Sequence, residues 1–399
     1  MDIGKIIGRE RAILASDIER NAGILSEAVK GARILIYGGA GSIGKAIAIE
    51  IFKRNPAALH VIDINENELV ELVRDLRSSL GYIDGETRFL PIDMGSIEAK
   101  AFLESQRPYD YVLNLAAMKH VRSEKDAYSL MRMIKVNILD TRATLSAARS
   151  PETKKYFAVS TDKATNPVNL MGATKRIMED VLFGCDMPAV STARFANVAF
   201  SNGSLLHGFR RRIEREQPLS APRDVRRYFV TSEEAGLLCL ASLVLGQRNE
   251  VFFPKLDAIS EVATFSDIAV RFLESCGYEA VVMPSEEAAR KSIEDLIPRR
   301  KWPCYFFDSD TAGEKLCEEF YSEKDNVDWS RFLEIGIVHV APLNAAISAR
   351  VKTFMERVEM ARIMVSGQKR ILWTPFGWRA QSFVTRTRID FSTRRCECG

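Results

Sequence analysis

An apolar run, Arg33-Ile34-Leu35-Ile36-Tyr37, leads directly into Gly38-Gly39-Ala40-Gly41-Ser42-Ile43-Gly44 and then into a helical stretch, Lys45 to Arg54. Few folds can use that succession. Gly38, Gly41 and Gly44 stand between a buried strand and a helix. One glycine permits the tight turn, one lets backbone approach a pyrophosphate, and one allows close helix–strand packing. The helix N-terminus, at Ser42 and Ile43, offers amide donors and a positive dipole end. A second apolar run, Leu59 to Ile62, ends in Asp63, 22 residues after Gly41. A carboxylate there accepts hydrogen bonds from an adenosine ribose and repels a 2′-phosphate, which favours NAD over NADP. Lys45, a cation beside the loop, argues the other way. Asp93, after the run 87–92, is placed to reach an adenine amino group or to cap a helix before Ser96. Asn114, Ala116 and Ala117 end a further run with small residues that let a cofactor lie against the backbone.

Strand-like runs recur at 87–92, 109–115, 155–160 and 189–195, with helical intervals that include a long amphipathic helix over about 66–79. This alternation predicts an α/β fold, a Rossmann-type doubly wound parallel sheet with a smaller C-terminal substrate-binding lobe. The expected organisation is a helical arm over 1–30 and a dinucleotide-binding domain over 31–195. A nucleotide-sugar lobe over 196–345 and a helix with a basic tail over 346–399 complete it. Helices are expected near 232–246, 265–276, 284–296 and 344–366, and a strand near 250–253. The tail carries 11 Lys/Arg against 4 Asp/Glu in a chain whose net charge is +3. It carries no recognised nucleic-acid motif, so no nucleic-acid partner is expected, and a solvated helix with a loose end is the plainer reading. No apolar run nears the roughly 18 residues of a membrane span. The seven cysteines have no metal-ligand spacing apart from a terminal Cys-Glu-Cys, so no metal site is expected and reduced thiols in cytoplasm are the simplest reading.

The chemistry-bearing segment is Ser160-Thr161-Asp162-Lys163, followed by Met171-Gly172-Ala173-Thr174-Lys175. Reductases of this architecture carry Tyr-x-x-x-Lys, because positions four apart share a helix face. Here Lys175 is present, and Met171 stands where the Tyr should be. A thioether carries no proton, so either the site is dead or Asp162 and Lys163 do the proton chemistry. Taken alone, Thr161-Asp162 could be a capped turn and Met171 a core residue. Position after a strand, downstream of the glycine loop and with Lys175 kept, favours catalysis. Lys119-His120 follows another strand at the edge where parallel sheets bind ligands.

These residues resemble the extended short-chain dehydrogenase/reductase superfamily. Leu115-Ala116-Ala117-Met118-Lys119-His120-Val121, Ser160 to Pro167, Met171 to Arg176, Ala193 to Val198 and Arg227-Tyr228-Phe229-Val230-Thr231 resemble the nucleotide-sugar 4,6-dehydratases of bacterial polysaccharide and nonulosonate biosynthesis. Within that group Leu72 to Ser79 and Lys301-Trp302-Pro303-Cys304 are most similar to the GDP-N-acetylglucosamine enzymes of legionaminic acid synthesis. The resemblance runs from about residue 30 to 340. It implies tightly held NAD, hydride removal from sugar C4, loss of water across C5–C6 and hydride return to C6. It further implies Asp162 as acid at O6 and Lys163 as base at C5. Lys175 would bond the nicotinamide ribose, and Asn137 would anchor the Lys175 side through a water. Thr161 or an ordered water, polarised by Lys175, would take the C4 hydroxyl proton. Lys119, His120, Arg194, Asn197 and Arg227 would bind the nucleotide sugar, with GDP favoured over UDP. Relatives are dimers or larger, so a homo-oligomer is expected. The competing readings are a C5-inverting dehydratase or an epimerase, and a non-catalytic NAD-binding sensor.

Overall fold

The computed structural model describes residues 2–185, 187, 189–256, 262–309, 318–341, 349 and 351–357. Six parallel strands form the centre: β1 (Arg33–Tyr37), β2 (Ala58–Ile62), β3 (Glu86–Leu90), β4 (Tyr111–Asn114), β5 (Lys155–Val159) and β6 (Val190–Ala193). The nine-stranded sheet runs β3-β2-β1-β4-β5-β6, then Glu250–Pro254, Ile335–His339 and Asn326–Asp328. Strand order reverses between β1 and β4, where Tyr37 pairs with Asn114. A crevice opens beyond the carboxyl ends of strands at such a switch point. β2 and β5 are buried throughout, as strands covered by helices on both faces must be.

Local chemistry sets the helices. Asn65 caps Glu66–Leu80 by accepting from the Glu68 amide at 3.2 Å, and Leu69, Leu72 and Leu76 bury one face. Helix Ser232–Leu245 has no polar face to spare, with nine buried residues, and it lies against helix Ser42–Phe52 where Gly236 meets Ala46. A capping box of Thr231 and Glu234 starts it.

The expected division after residue 195 is not a clean cut. Strands Glu250–Pro254, Asn326–Asp328 and Ile335–His339, with helix Ser232–Leu245, return to the main sheet. The reason is burial: Glu250–Pro254 is buried at all five positions and needs strands on both sides. The separate lobe is smaller than 196–345. It has a parallel three-stranded sheet, Glu279–Val282, Lys301–Phe307 and Leu219–Pro222, and helices Leu205–Glu214 and Phe265–Ser275. Phe209, Phe272 and Trp302 anchor its own core.

The first 30 residues form three short helices folded onto their own chain. Arg9 makes a two-pronged ion pair with Glu234 at 2.9 and 2.5 Å. Asp17 accepts from the amides of Leu333, Glu334 and Ile335. The helix expected over 344–366 is described as helical at 349 and 351–357, and the rest of it and most of the basic tail lie outside the described residues.

Candidate active site

The glycine loop is built by contact. Gly38 has φ +73°, and a Cβ there would overlap the Ala116 backbone; one on Gly44 would overlap the Gly38 carbonyl. Gly41 differs. A Cβ there meets only the Gly38 oxygen, at 3.5 Å, so its outer side is open at the start of helix Ser42–Phe52. Asp63 sits where its strand position promised. One carboxylate oxygen accepts from the Ala40 amide at 3.0 Å and the other from the Asn65 amide at 2.9 Å, which leaves lone pairs on both. The open Gly41 face, the helix amides of Ser42 and Ile43 and the Asp63 carboxylate fit a dinucleotide. Lys45 pairs with Glu68 at 2.8 Å, so its charge is already answered within the protein.

Three expected cofactor contacts look different. Asn114 is 2 % exposed, and its amide spans Thr141 Oγ1 and the Ala116 amide, so its side chain shapes the turn from within. Ala116 backs Gly38 as the small residue that permits the approach. Asp93 pairs with Arg132 at 3.1 Å and accepts from the Gly95 amide, while Ser96, not Asp93, caps the helix that follows.

The catalytic candidates come together on the turn after β5. Thr161 caps a short 3₁₀ turn, Asp162–Ala164, and donates to Asp162 Oδ1 at 2.7 Å. Lys163 Nζ lies 3.2 Å from both Asp162 oxygens. The Asp162 side chain is 6 % exposed and that of Lys163 29 %. Helix Leu170–Phe183 presses on this turn at Gly172, where a Cβ would strike the Lys163 carbonyl. Lys175, on that helix, is buried and donates to the Val159 carbonyl at 3.0 Å. Burial depresses its ammonium to about 8, against the opposing charge of Glu179. Asn137, in a π-helical stretch, bonds Thr174 Oγ1 and both backbone polar atoms of Met118, tying the segment after β4 to this helix beside Lys175.

At Met171 the structure decides between the two readings left open, and at Arg194 it departs from the expected role. Met171 is 2 % exposed among Leu130, Met133, Ile134, Phe354 and Met355, so its side chain is core and handles no proton. Arg194 is 1 % exposed, bonds both oxygens of Glu179 and donates to the Phe320 carbonyl. Its guanidinium is spent inside the protein, and it braces the turn from below, since Ser160 also donates to Glu179 at 2.6 Å. Burial alone would raise the Glu179 carboxyl; Arg194 outweighs that and holds it below the usual range.

The second lobe faces this turn. Lys119 donates to Ser201 Oγ at 3.3 Å, the Asn202 amide donates to Ser42 Oγ at 2.9 Å, and Gly203 lies against the His120 ring. The turn 201–204 thus touches both the cofactor loop and the Lys119-His120 pair. Asn197 and Arg227 converge on a residue that sequence reasoning missed, Glu318. Asn197 Nδ2 is 2.6 Å and Arg227 Nε 3.6 Å from Glu318 Oε1, and the Tyr228 amide is 3.3 Å from Oε2. Nothing in the sequence links positions 121 residues apart. Glu179 carried a signal, since it lies four residues after Lys175 on one helix face.

A parallel sheet with a dinucleotide loop at its switch point and an Asp-Lys pair over a buried Lys defines the class. The chain belongs to the family described as polysaccharide biosynthesis protein, which it matches over residues 34–339. It is 32 % identical over 323 residues to the uncharacterized membrane protein MJ1061 of Methanocaldococcus jannaschii, covering 79 % of this chain and 88 % of that one. It is 30 % identical over 243 residues to the UDP-N-acetylglucosamine 4,6-dehydratase (inverting) of Campylobacter jejuni, covering 57 % of this chain and 68 % of that enzyme. The match to the capsular polysaccharide biosynthesis protein CapD of Staphylococcus aureus, 31 % identical over 63 % of this chain, spans only 41 % of that protein. Among solved structures, Pen from Bacillus thuringiensis shares the fold, with a TM-score of 0.62 at 23 % identity over 79 % of this chain and 89 % of that one. Among the described residues no helix is long and apolar enough to cross a membrane, and no cluster of side chains could hold a metal ion.

Proposed function

We propose that this protein is a nucleotide-sugar 4,6-dehydratase that converts a nucleoside-diphosphate N-acetylglucosamine to its 4-keto-6-deoxy derivative. The observation that carries this reading is the partly buried contact set of Thr161, Asp162 and Lys163, on the turn against which the helix carrying Lys175 packs. A simple 4-epimerase needs one proton carrier at C4 and has no use for an adjacent acid and base. Dehydration needs both, one at C5 and one at the departing C6 oxygen. Lys163 is the proposed base and Asp162 the proposed acid. Thr161 is the proposed relay for the C4 hydroxyl, through the bond it already makes to Asp162.

NAD, when bound along the loop from Gly38 to Gly44, supplies a hydride acceptor at C4 and donor at C6. The protein's part is to hold it: Asp63 at the ribose, the helix amides at the pyrophosphate, and Lys175 on the catalytic side. Lys119, His120, Asn197 and Arg227 line the proposed sugar-nucleotide side. The dehydratase named among the relatives takes UDP-N-acetylglucosamine, while the sequence resemblance favours GDP.

The test is to incubate the full chain with UDP- and GDP-N-acetylglucosamine and look for a product lighter by one water, with solvent deuterium at C5. A Lys163→Ala variant should lose at least about a hundredfold in rate and keep its cofactor. No product from either substrate by NAD-loaded protein would sink the proposal and favour a cofactor-binding module without turnover. The coupling constants at C5 then report whether the centre is inverted.

A further inference from the structure

A fully buried ion pair lies under the candidate catalytic turn, and stability alone is a poor reason for it. Charges removed this far from solvent return little net energy, and well-packed apolar side chains of the same volume usually serve a fold as well. What Glu179 and Arg194 supply is a fixed point. Glu179 Oε1 accepts from Ser160 Oγ at 2.6 Å as well as from Arg194 Nε at 3.0 Å. The backbone closes the ring. The Ser160 amide donates to the Ala193 carbonyl at 2.9 Å and the Asp162 amide to the Phe195 carbonyl at 3.3 Å, one on either side of Arg194. Arg194 Nη1 also holds the Phe320 carbonyl at 2.6 Å.

We infer that Glu179 is a positioning residue for the turn that carries Thr161, Asp162 and Lys163. Thr161 lies in extended backbone, φ −152° and ψ 156°, where neighbouring side chains point to opposite sides. With the Ser160 hydroxyl held by Glu179, the Thr161 hydroxyl is sent the other way, onto Asp162 Oδ1. Helix Leu170–Phe183 thus grips the turn at both ends. Glu179 bonds Ser160 before it, and Gly172 lies against the Lys163 carbonyl at its far end. Lys175 stands between the two grips on the same helix, so they set its place relative to Asp162 and Lys163. A misplacement of about 1 Å in such an alignment can cost on the order of a hundredfold in rate. That Glu179 anchors the turn stands on its contacts; that the anchor serves dehydration rests on the function proposed above.

The test compares the full chain with two variants. Ser160→Ala frees the turn and leaves the ion pair intact; Glu179→Met combined with Arg194→Met replaces the pair by apolar side chains. Hydrogen exchange at the amides of 160–163 should quicken at least about tenfold in both, while those of β1 and β4 keep their wild-type rates. In the dehydration assay kcat should fall about tenfold in both, with KM little changed. Ser160→Ala decides the matter if the double variant does not fold. Unchanged exchange at 160–163 in Ser160→Ala overturns the anchor. Exchange that quickens equally in β1 and β4 overturns it too, because that marks a general loss of stability. A kcat unchanged in Ser160→Ala would overturn the positioning role. Local opening in a protein that removes no water would uphold the anchor and sink the dehydratase reading instead.

Discussion

Lys175 concentrates the conflict between stability and chemistry in one side chain. Its ammonium is buried under β5, and its value of about 8 lies well below the ordinary 10.5. For a group depressed on folding, the stability it allows is complete above the unfolded value and is lost as pH falls through about 8. At pH 7 the buried charge therefore costs on the order of 3 kcal/mol. Lys175→Met should raise the urea midpoint, by roughly 1–3 kcal/mol of stability, and should flatten the rise in stability between about pH 8 and 10. On the proposed function, dehydration should be abolished in the same variant. Urea titrations at several pH values check this, and a less stable variant would mean that the Val159 bond outweighs the desolvation. At this scale the sequence was a partial guide. Lys175, Asp162 and Lys163 were readable because a short segment carries them. The burial of Arg194 was not, because its partner Glu179 and the Phe320 carbonyl come from distant parts of the chain. Met171 could be read either as a vacated catalytic position or as core, and the apolar cluster around it decides for core.

Elements were the most legible level, since hydrophobic periodicity and glycine placement act over a few residues. Expected helices at 66–79 and 232–246 and a strand at 250–253 lie within one residue of Glu66–Leu80, Ser232–Leu245 and Glu250–Pro254. The interval 284–296, by contrast, splits into Glu286–Lys291 and Ile293–Leu296 at Ser292. The glycine loop gives a sharp element-scale test. Gly44→Ala places a Cβ on the Gly38 carbonyl and should cost about 1–3 kcal/mol, with loss of cofactor binding. Gly41→Ala meets nothing closer than 3.5 Å and should leave the melting temperature nearly unchanged while weakening NAD binding. Thermal melts with and without NAD separate the two. Equal destabilisation of both variants would contradict the open face at Gly41.

At the scale of the molecule, the N-terminal segment is a clasp. Arg9 and Glu234 are 4 % and 5 % exposed, and Asp17 satisfies three amides between Leu333 and Ile335. Removing one partner of a buried pair strands the other charge, so Arg9→Ala should cost about 3–5 kcal/mol. Replacing both, in Arg9→Met with Glu234→Gln, should cost less than Arg9→Ala alone. Chemical denaturation of the three proteins checks this, and an additive double variant would show that the pair is not coupled. The sequence by itself determined the parallel sheet, the glycine loop with Asp63, and the candidate catalytic turn, because strand period, turn chemistry and helix spacing are local. Only the tertiary structure decided that the arm closes on its own chain, that the later strands rejoin the main sheet, and that Glu318 stands with Asn197 and Arg227. Those outcomes depend on which buried charges find partners across more than a hundred residues, and no local pattern records that choice.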